Sequence, residues 1–376
     1  MKKTVSILTA VLLLLALLSA CKSNVPQTTD ESETSVNVAA AVKTGLGTVY
    51  STAVSDDALT AKTVAAAVTV GDGGKITACR VDELETDAKL QNGKITREAD
   101  RRSKYTMGYD YGLSASKPLE KEWFEQIDAL CDYVVGKTAA EVAEIPLDNG
   151  VPTDEALRSR CELTVSPYLD AIGKACDMAA DRGAQAGDVL SLSLTASDDE
   201  GGDSSVWESV QIALVTLNGR GVVTDCVVDE TGRRIDVADG AFVGETGEYP
   251  SKKDQKTGLD DTSDTETDAE WTSSAKAFEE YVTGKTATQV KATPLTNGKP
   301  AADTDLAKKC TISVTAMMQN VLKAIDGADT KGSKTKSATQ TASDSVLDKA
   351  SKAADDVVSM AEDAVSRVGD ALTESR

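Results

Sequence analysis

Not one histidine occurs in the 376 residues of this chain. That excludes the Ser-His and Cys-His nucleophile systems and removes the commonest ligand of zinc and other transition metals. Aromatic residues are scarce, at 4 %, so any core must be built from alanine, valine and leucine. No C-x-x-C spacing links the seven cysteines, which argues against a thiolate metal cluster. Positive charge is short as well, with 40 Lys and Arg against 61 Asp and Glu and a net charge of −21. A chain so acidic repels nucleic acid and anionic lipid head groups, and neither is expected as a partner. After Leu18 no run is long and apolar enough to span a bilayer.

What is present starts at the N-terminus. Lys2 and Lys3 precede an apolar run from Val5 to Leu18, too short and too N-terminal for a transmembrane helix, so residues 1–20 are expected to be a signal peptide. The run closes in Leu18-Ser19-Ala20-Cys21, which resembles the lipobox of bacterial lipoproteins. The resemblance implies cleavage before Cys21 and attachment of a diacylglyceryl group, with palmitate-type chains, to its thiol. The protein would then sit at the outer face of the cytoplasmic membrane, extracellular, with its membrane contact made by the lipid. Two acyl chains anchor stably where one is marginal. The competing reading is an ordinary secreted protein with an incidental early cysteine. Loss of Lys2 and Lys3 takes the net charge from −21 to −23.

The chain also repeats itself. GKITACRVDE at 74–83 returns as GVVTDCVVDE at 221–230, and Trp123, Tyr133, Gly136, Lys137 and Thr138 return as Trp271, Tyr281, Gly284, Lys285 and Thr286. Leu157, Cys161 and Val165 return as Leu306, Cys310 and Val314. The offset creeps upward by single residues, as loop insertions make it do, so a domain of about 145 residues has been duplicated in tandem. Each copy opens with three extended segments, the second and third joined by Gly71-Asp72-Gly73-Gly74 or Asn218-Gly219-Arg220-Gly221. A polar excursion with a turn at Asn92-Gly93 or Asp239-Gly240 follows, then a helix, a short second helix, a strand (CELTV or CTISV) and a last helix. Strands followed by helices without βαβ alternation predict an α+β fold. The expectation is two tandem homologous domains at 44–183 and 184–326, each a small antiparallel sheet packed with helices. They follow a tether at 21–43 and precede a linker at 327–343. Residues 344–374 place Leu347, Val357, Val358, Val365 and Leu372 at helical spacing. This C-terminal amphipathic helix is too acidic for a membrane surface. It either docks weakly, self-associates, fluctuates or meets a partner protein.

The repeated GKT suggests a phosphate loop, but a P-loop needs glycine five residues before the Gly-Lys, and Cys131 or Glu279 stands there. The alternative is a helix corner. Gly136 and Gly284 end one helix in the left-handed region, and Thr138 with Glu141, or Thr286 with Gln289, form a T-x-x-E/Q capping box for the next. SASK at 114–117 and SSAK at 273–276 fit S-x-x-K, yet Pro118 follows the first directly and no S-D-N exists, which rejects the penicillin-interacting serine enzymes.

Cys79 and Cys161 recur as Cys226 and Cys310, whereas Cys131 and Cys176 are both replaced in copy two, by Glu279 and Ile325. Cysteines that appear and vanish together are most simply paired, which predicts Cys79–Cys161, Cys226–Cys310 and Cys131–Cys176 disulfides. Six buried thiols are the alternative, because spacing does not fix connectivity. Acidic loops at 197–203 and 260–270 offer oxygen ligands for calcium at Asp260, Asp261, Asp264, Glu266 and Asp268. They lack the EF-hand spacing, and a solvated loop is the alternative. Copy one alone has Tyr105, Tyr109 and Tyr111, beside Lys104 and Trp123. Their restriction to one copy suggests a ligand cleft with aromatic walls, Lys104 contacting an anion. The alternative is a loop packed on its own sheet.

The GKITACRVDE run, the SK…G…YG…EW loop and the YVVGKT corner resemble lipoproteins of anaerobic Gram-positive bacteria to which no activity is assigned, over residues 44–326. More distantly, the order of strands and helices looks like the FMN-binding domains of membrane electron-transfer proteins. Those attach flavin through a threonine in an S-G-A-T-type motif, and the corresponding stretches here, CELTVSPYLDAIGKA and CTISVTAMMQNVLKA, lack it. The expectation is a non-enzymatic, lipid-anchored envelope protein that holds a ligand or an envelope partner, with no cofactor and no metal. The alternative is a module that binds FMN non-covalently.

Overall fold

The computed structural model describes residues 39–328, apart from 99, 117, 198–203 and 255–264. The expected signal peptide, Cys21, the tether up to residue 38, residues 198–203 and 260–264 of the acidic loops and the expected amphipathic helix at 344–374 therefore lie outside the described residues, whereas residues 41–43, expected as tether, belong to the first strand and residues 265–270 begin a helix.

Three long strands open the first repeat: β1 (Ala41–Val54), β2 (Ala58–Val70) and β3 (Ile76–Gln91), followed by the short β4 (Lys94–Arg97). All are antiparallel neighbours, and the turns expected at 71–74 and at Asn92-Gly93 join β2 to β3 and β3 to β4. Asn92 and Gly93 both take positive φ, at 52° and 73°, the requirement of a two-residue hairpin whose twist matches its strands. Beyond Val81, β3 runs on through charged residues that read as an excursion, because Ala58–Thr69 of β2 pair with its whole length. Helices α1 (Lys104–Met107), α2 (Trp123–Val134) and α3 (Ala139–Ala143) come next, then the hairpin β5 (Leu147–Asp148) and β6 (Val151–Pro152) turned by Asn149-Gly150. After α4 (Glu155–Arg158) comes α5 (Ser166–Asp177). Residues 161–165, expected as a strand, have none. Their alternating burial is real, but their amides go to Leu157 O (Cys161 N, 2.8 Å), the Gln126 side chain (Glu162 N, 2.9 Å) and Gly150 O (Val165 N, 2.7 Å), not to a strand.

The second half follows a similar order with β7 and β12 added to four corresponding strands: β7 (Ala180–Gln185), β8 (Val189–Ala196), β9 (Ser205–Leu217), β10 (Val223–Ala238), β11 (Ala241–Val243), β12 (Gly247–Tyr249), α6 (Thr265–Val282) and α7 (Ala287–Lys291). The hairpin β13 (Leu295–Thr296) and β14 (Lys299–Pro300) and the last helix α8 (Thr315–Ala328) complete it. The fold is thus mixed α+β with antiparallel sheets. One sheet runs β12-β1-β2-β3-β4 with β7 also on β1, and the other β11-β10-β9-β8.

The two halves share one body. Strand β12 of the second half joins the first sheet by pairing Tyr249 with Tyr50. The sheets also face each other across Leu46, Ala65, Ala67 and Leu84 on one side and Leu190, Leu194, Val210, Ile212 and Leu214 on the other. Helices α2 and α5 cover the outer face of the first sheet, and α6 and α8 that of the second. Strand β2 is buried on both faces, which is why ALTAKTVAAAVTV reads as a nearly continuous apolar run. Its alanines keep the four layers thin, and glycine does the same on β1. A Cβ on Gly45 or Gly47 would collide with the carbonyl of Ala175 or Ala171 in α5.

Candidate functional site

The GKT corner is a joint in both halves. Gly136 and Gly284 have φ of 86°, and Thr138 and Thr286 form the expected capping boxes with Glu141 and Gln289. Gly136 N donates to Ile76 O at 2.8 Å and Ile76 N to Lys137 O at 2.9 Å, while Gly284, Val223 and Lys285 make the same pair of bonds. The lysines lie over Tyr133 and Tyr281, at 4.4 and 3.9 Å from the ring centres. The motif recurs because it fastens the corner to the start of a central strand, and its amides are spent there.

Strand β3 carries Asp82 and Glu83, both buried. Glu83 Oε1 forms an ion pair with Lys104 Nζ at 2.6 Å, and Oε2 accepts from the Tyr168 hydroxyl at 2.6 Å. Tyr168 in turn accepts from Trp123 Nε1 at 3.0 Å. Burial and the Glu83 charge push the Tyr168 phenol far up. Burial pulls Lys104 down, but the charge and hydrogen bond of Glu83 outweigh it, and its pKa is raised. Lys104 also lies 5.0 Å from the Tyr111 ring centre. Asp82 accepts from Glu83 N (2.8 Å) and Tyr105 N (3.0 Å), and burial lifts its pKa to about 7 against the pull of these bonds and of Ser103.

The tyrosine loop closes on this network. Tyr105 and Tyr109 set ring edges against Phe124, at centroid distances of 6.4 and 5.0 Å, and the Tyr105 hydroxyl donates to Asp128 at 3.1 Å. All three tyrosines pack on the core of the first half. The structure brings Lys104, Tyr105, Tyr109, Tyr111 and Trp123 together, as the sequence suggested, but commits Lys104 to Glu83 instead of an incoming anion. Tyr105, Tyr109 and Tyr111 are each partly buried against this core.

The second half holds a reduced version. Glu230 Oε2 pairs with Lys252 Nζ at 2.9 Å, and Lys252 lies 5.2 Å from the Trp271 ring centre. Asp229 accepts from Glu230 N (2.8 Å) and Lys253 N (3.1 Å), and burial lifts its pKa to about 6. The Ser-Lys of the loop and the Asp-Glu of the strand thus face each other in both halves. The recurrence of Asp82-Glu83 as Asp229-Glu230 was visible in the sequence, and that of Ser103-Lys104 as Ser251-Lys252 was a further usable signal that the two pairs meet.

None of the three predicted disulfides is present, and all six cysteines between 79 and 310 are free thiols. Cys131, and not Cys161, acts most strongly on the Cys79 thiol, while burial and then the Glu279 charge raise that of Cys226. The pairing inferred from joint loss fails because Cys131 lies on the face of α2 that packs on β3, where Cys79 stands. Cys176 is half-buried, and burial raises its thiol and that of Cys161 to about 11.

A cleft of about 480 Å³ opens where the end of α5 meets β1 and β12. Asp177, Glu248 and Asp254 line it with Lys174, Met178 and Tyr249. Lys174 Nζ is held by Thr48 O at 3.0 Å, so the lining is acidic on balance. Nothing in the sequence flagged this cleft, because its walls come from both halves. No group of side chains suited to a metal ion occurs among the described residues. No family model, no curated protein and no solved structure matches this chain.

Proposed function

We propose that this chain is a lipid-anchored, non-catalytic binding or structural protein of the bacterial cell envelope. It is held at the outer face of the cytoplasmic membrane by a diacylglyceryl group on Cys21, and built from two homologous α+β repeats followed by an amphipathic helix at 344–374. The observation that carries this reading is the N-terminal series of basic start, short apolar run, small residues and Cys21. The geometry supports the non-catalytic part: Glu83 and Glu230, at equivalent places of the two halves, are each held by a lysine, Lys104 and Lys252. The acidic cleft between α5 and β12 is open to a ligand, and its lining favours a cationic or hydroxyl-rich one.

The test is metabolic labelling of the full chain, expressed in a bacterium, with radioactive palmitate. Wild type is expected to carry label in the membrane fraction and Cys21→Ala to carry none. Label persisting in Cys21→Ala, or absent from wild type, overturns the anchored reading.

A further inference from the structure

The two halves differ most sharply, in chemical terms, at one point of the helix–sheet interface. In the first half Cys79 on β3 and Cys131 on α2 are 3 % and 4 % exposed and share one apolar cluster with Val81, Phe124 and Ile127. The Cys131 side chain is the largest influence on the Cys79 thiol, ahead of burial, and α2 packs directly on β3. In the second half Cys226 occupies the place of Cys79, and Glu279 that of Cys131. Glu279 is held by the Lys253 ammonium and accepts from Val228 N at 2.7 Å. One half therefore fills this point with a partnered charge, and the other with two neighbouring buried thiols. Thiol-to-thiol hydrogen bonds are weak, and the described residues offer no metal cluster that would employ the sulfurs.

We propose that Cys79 and Cys131 form an oxidation site, a disulfide that fastens β3 to α2 in the first half alone. The oxidant is a small-molecule disulfide, RSSR. One cysteine, as thiolate, attacks a sulfur of RSSR; that S–S bond breaks, and RS⁻ leaves and takes up the proton the thiol lost. The second cysteine then attacks the protein sulfur of the mixed disulfide, forming the Cys79–Cys131 bond and expelling the second RS⁻, which is protonated in turn. Two protein thiols are oxidised and one RSSR is reduced to two RSH. Exchange needs a thiolate and access, and both sulfurs are buried. The bond therefore closes before α2 docks, during folding, and is slow to form or break afterwards.

The experiment uses the full chain with Cys21→Ala in mild detergent, refolded with a mixture of oxidised and reduced glutathione. It is then unfolded in iodoacetamide without reductant, digested and mapped by mass spectrometry. The expected result is alkylation of Cys161, Cys176, Cys226 and Cys310, with Cys79 and Cys131 recovered in one crosslinked peptide. Alkylation of all six, or recovery of Cys79 bonded to any other cysteine, overturns the proposal. In a Cys226→Ser variant, which leaves the first half untouched, the same crosslink is expected, and its loss would count equally against the site. Because oxidation is done in the test tube, the outcome does not depend on where the protein resides.

Discussion

At the scale of single residues, the buried ion pair between Lys104 and Glu83 is the feature most exposed to mutation. Their side chains are 14 % and 2 % accessible, so truncating one strands the other in a poorly solvated place. Lys104→Met is expected to cost about 3 kcal/mol in urea denaturation. Adding Glu83→Gln should restore part of that loss, the signature of coupled partners in a double-mutant cycle. A cost below about 0.5 kcal/mol for Lys104→Met, typical of exposed substitutions, would mean that Lys62, 3.6 Å from the same oxygen, suffices as partner. The neighbouring aspartates set a pH dependence. Asp82 and Asp229 rise from 3.8 to about 7 and about 6 because burial disfavours their charge. A raised carboxyl favours the fold in its protonated form, so this stabilisation is complete below pH 3.8 and lost as pH climbs through about 6 to 7. The slope reaches at most about 1.4 kcal/mol per pH unit for each group. Urea midpoints of the wild type should fall between about pH 4 and 7, and Asp82→Asn should flatten that fall. An unchanged slope in Asp82→Asn would place the titration elsewhere.

Elements are fitted to each other through glycine. Gly47 on β1 has an ordinary φ, and what it provides is room, since a methyl group there would strike the Ala171 carbonyl of α5. Gly47→Ala is expected to destabilise by about 1–3 kcal/mol, the usual cost of overpacking. Gly173 lies within α5 with nothing near its missing Cβ, and Gly173→Ala should stabilise by about 0.5–1 kcal/mol through helix propensity. Opposite signs for the two Gly→Ala changes, one at the helix–strand contact and one on the open side of the same helix, read from thermal melts, test whether α5 crosses β1 as described; equal signs would contradict it. The hairpin at Asn149-Gly150 follows the same logic twice over. Its glycine has φ of 81°, and a Cβ would come within 2.7 Å of Thr164 Cγ2. The Asn-Gly pair with its twin at 297–298 was legible in sequence as a turn. The packing of Thr164 and Ser166 against it was not, because nothing local encodes which side chain lies above a turn.

For the whole molecule, the shared inter-sheet layer decides cooperativity. Separating the halves would expose Leu46, Ala65, Ala67 and Leu84 and strip β12 from the edge of β1. A single unfolding transition is expected for the whole chain, with far-UV circular dichroism and tryptophan fluorescence coinciding. Trp123 reports on the first half, and Trp207 and Trp271 on the second. Two resolved transitions would mean that each repeat is stable alone and that the layer between them is incidental.

The α+β class, the three long opening strands, the capping boxes and the turns at 71–74 and 92–93 were determined by the sequence alone, because each depends on neighbours a few residues apart. The tertiary structure decided the rest. It turned Lys104 from an anion contact into the partner of Glu83, set Cys79 against Cys131 instead of Cys161, and left residues 161–165 without a strand partner. It also built a cleft from α5 and β12, some seventy residues apart. Contacts of that kind join segments distant in the chain, and only the stacking of sheet on sheet and helix on sheet brings them within reach of one another.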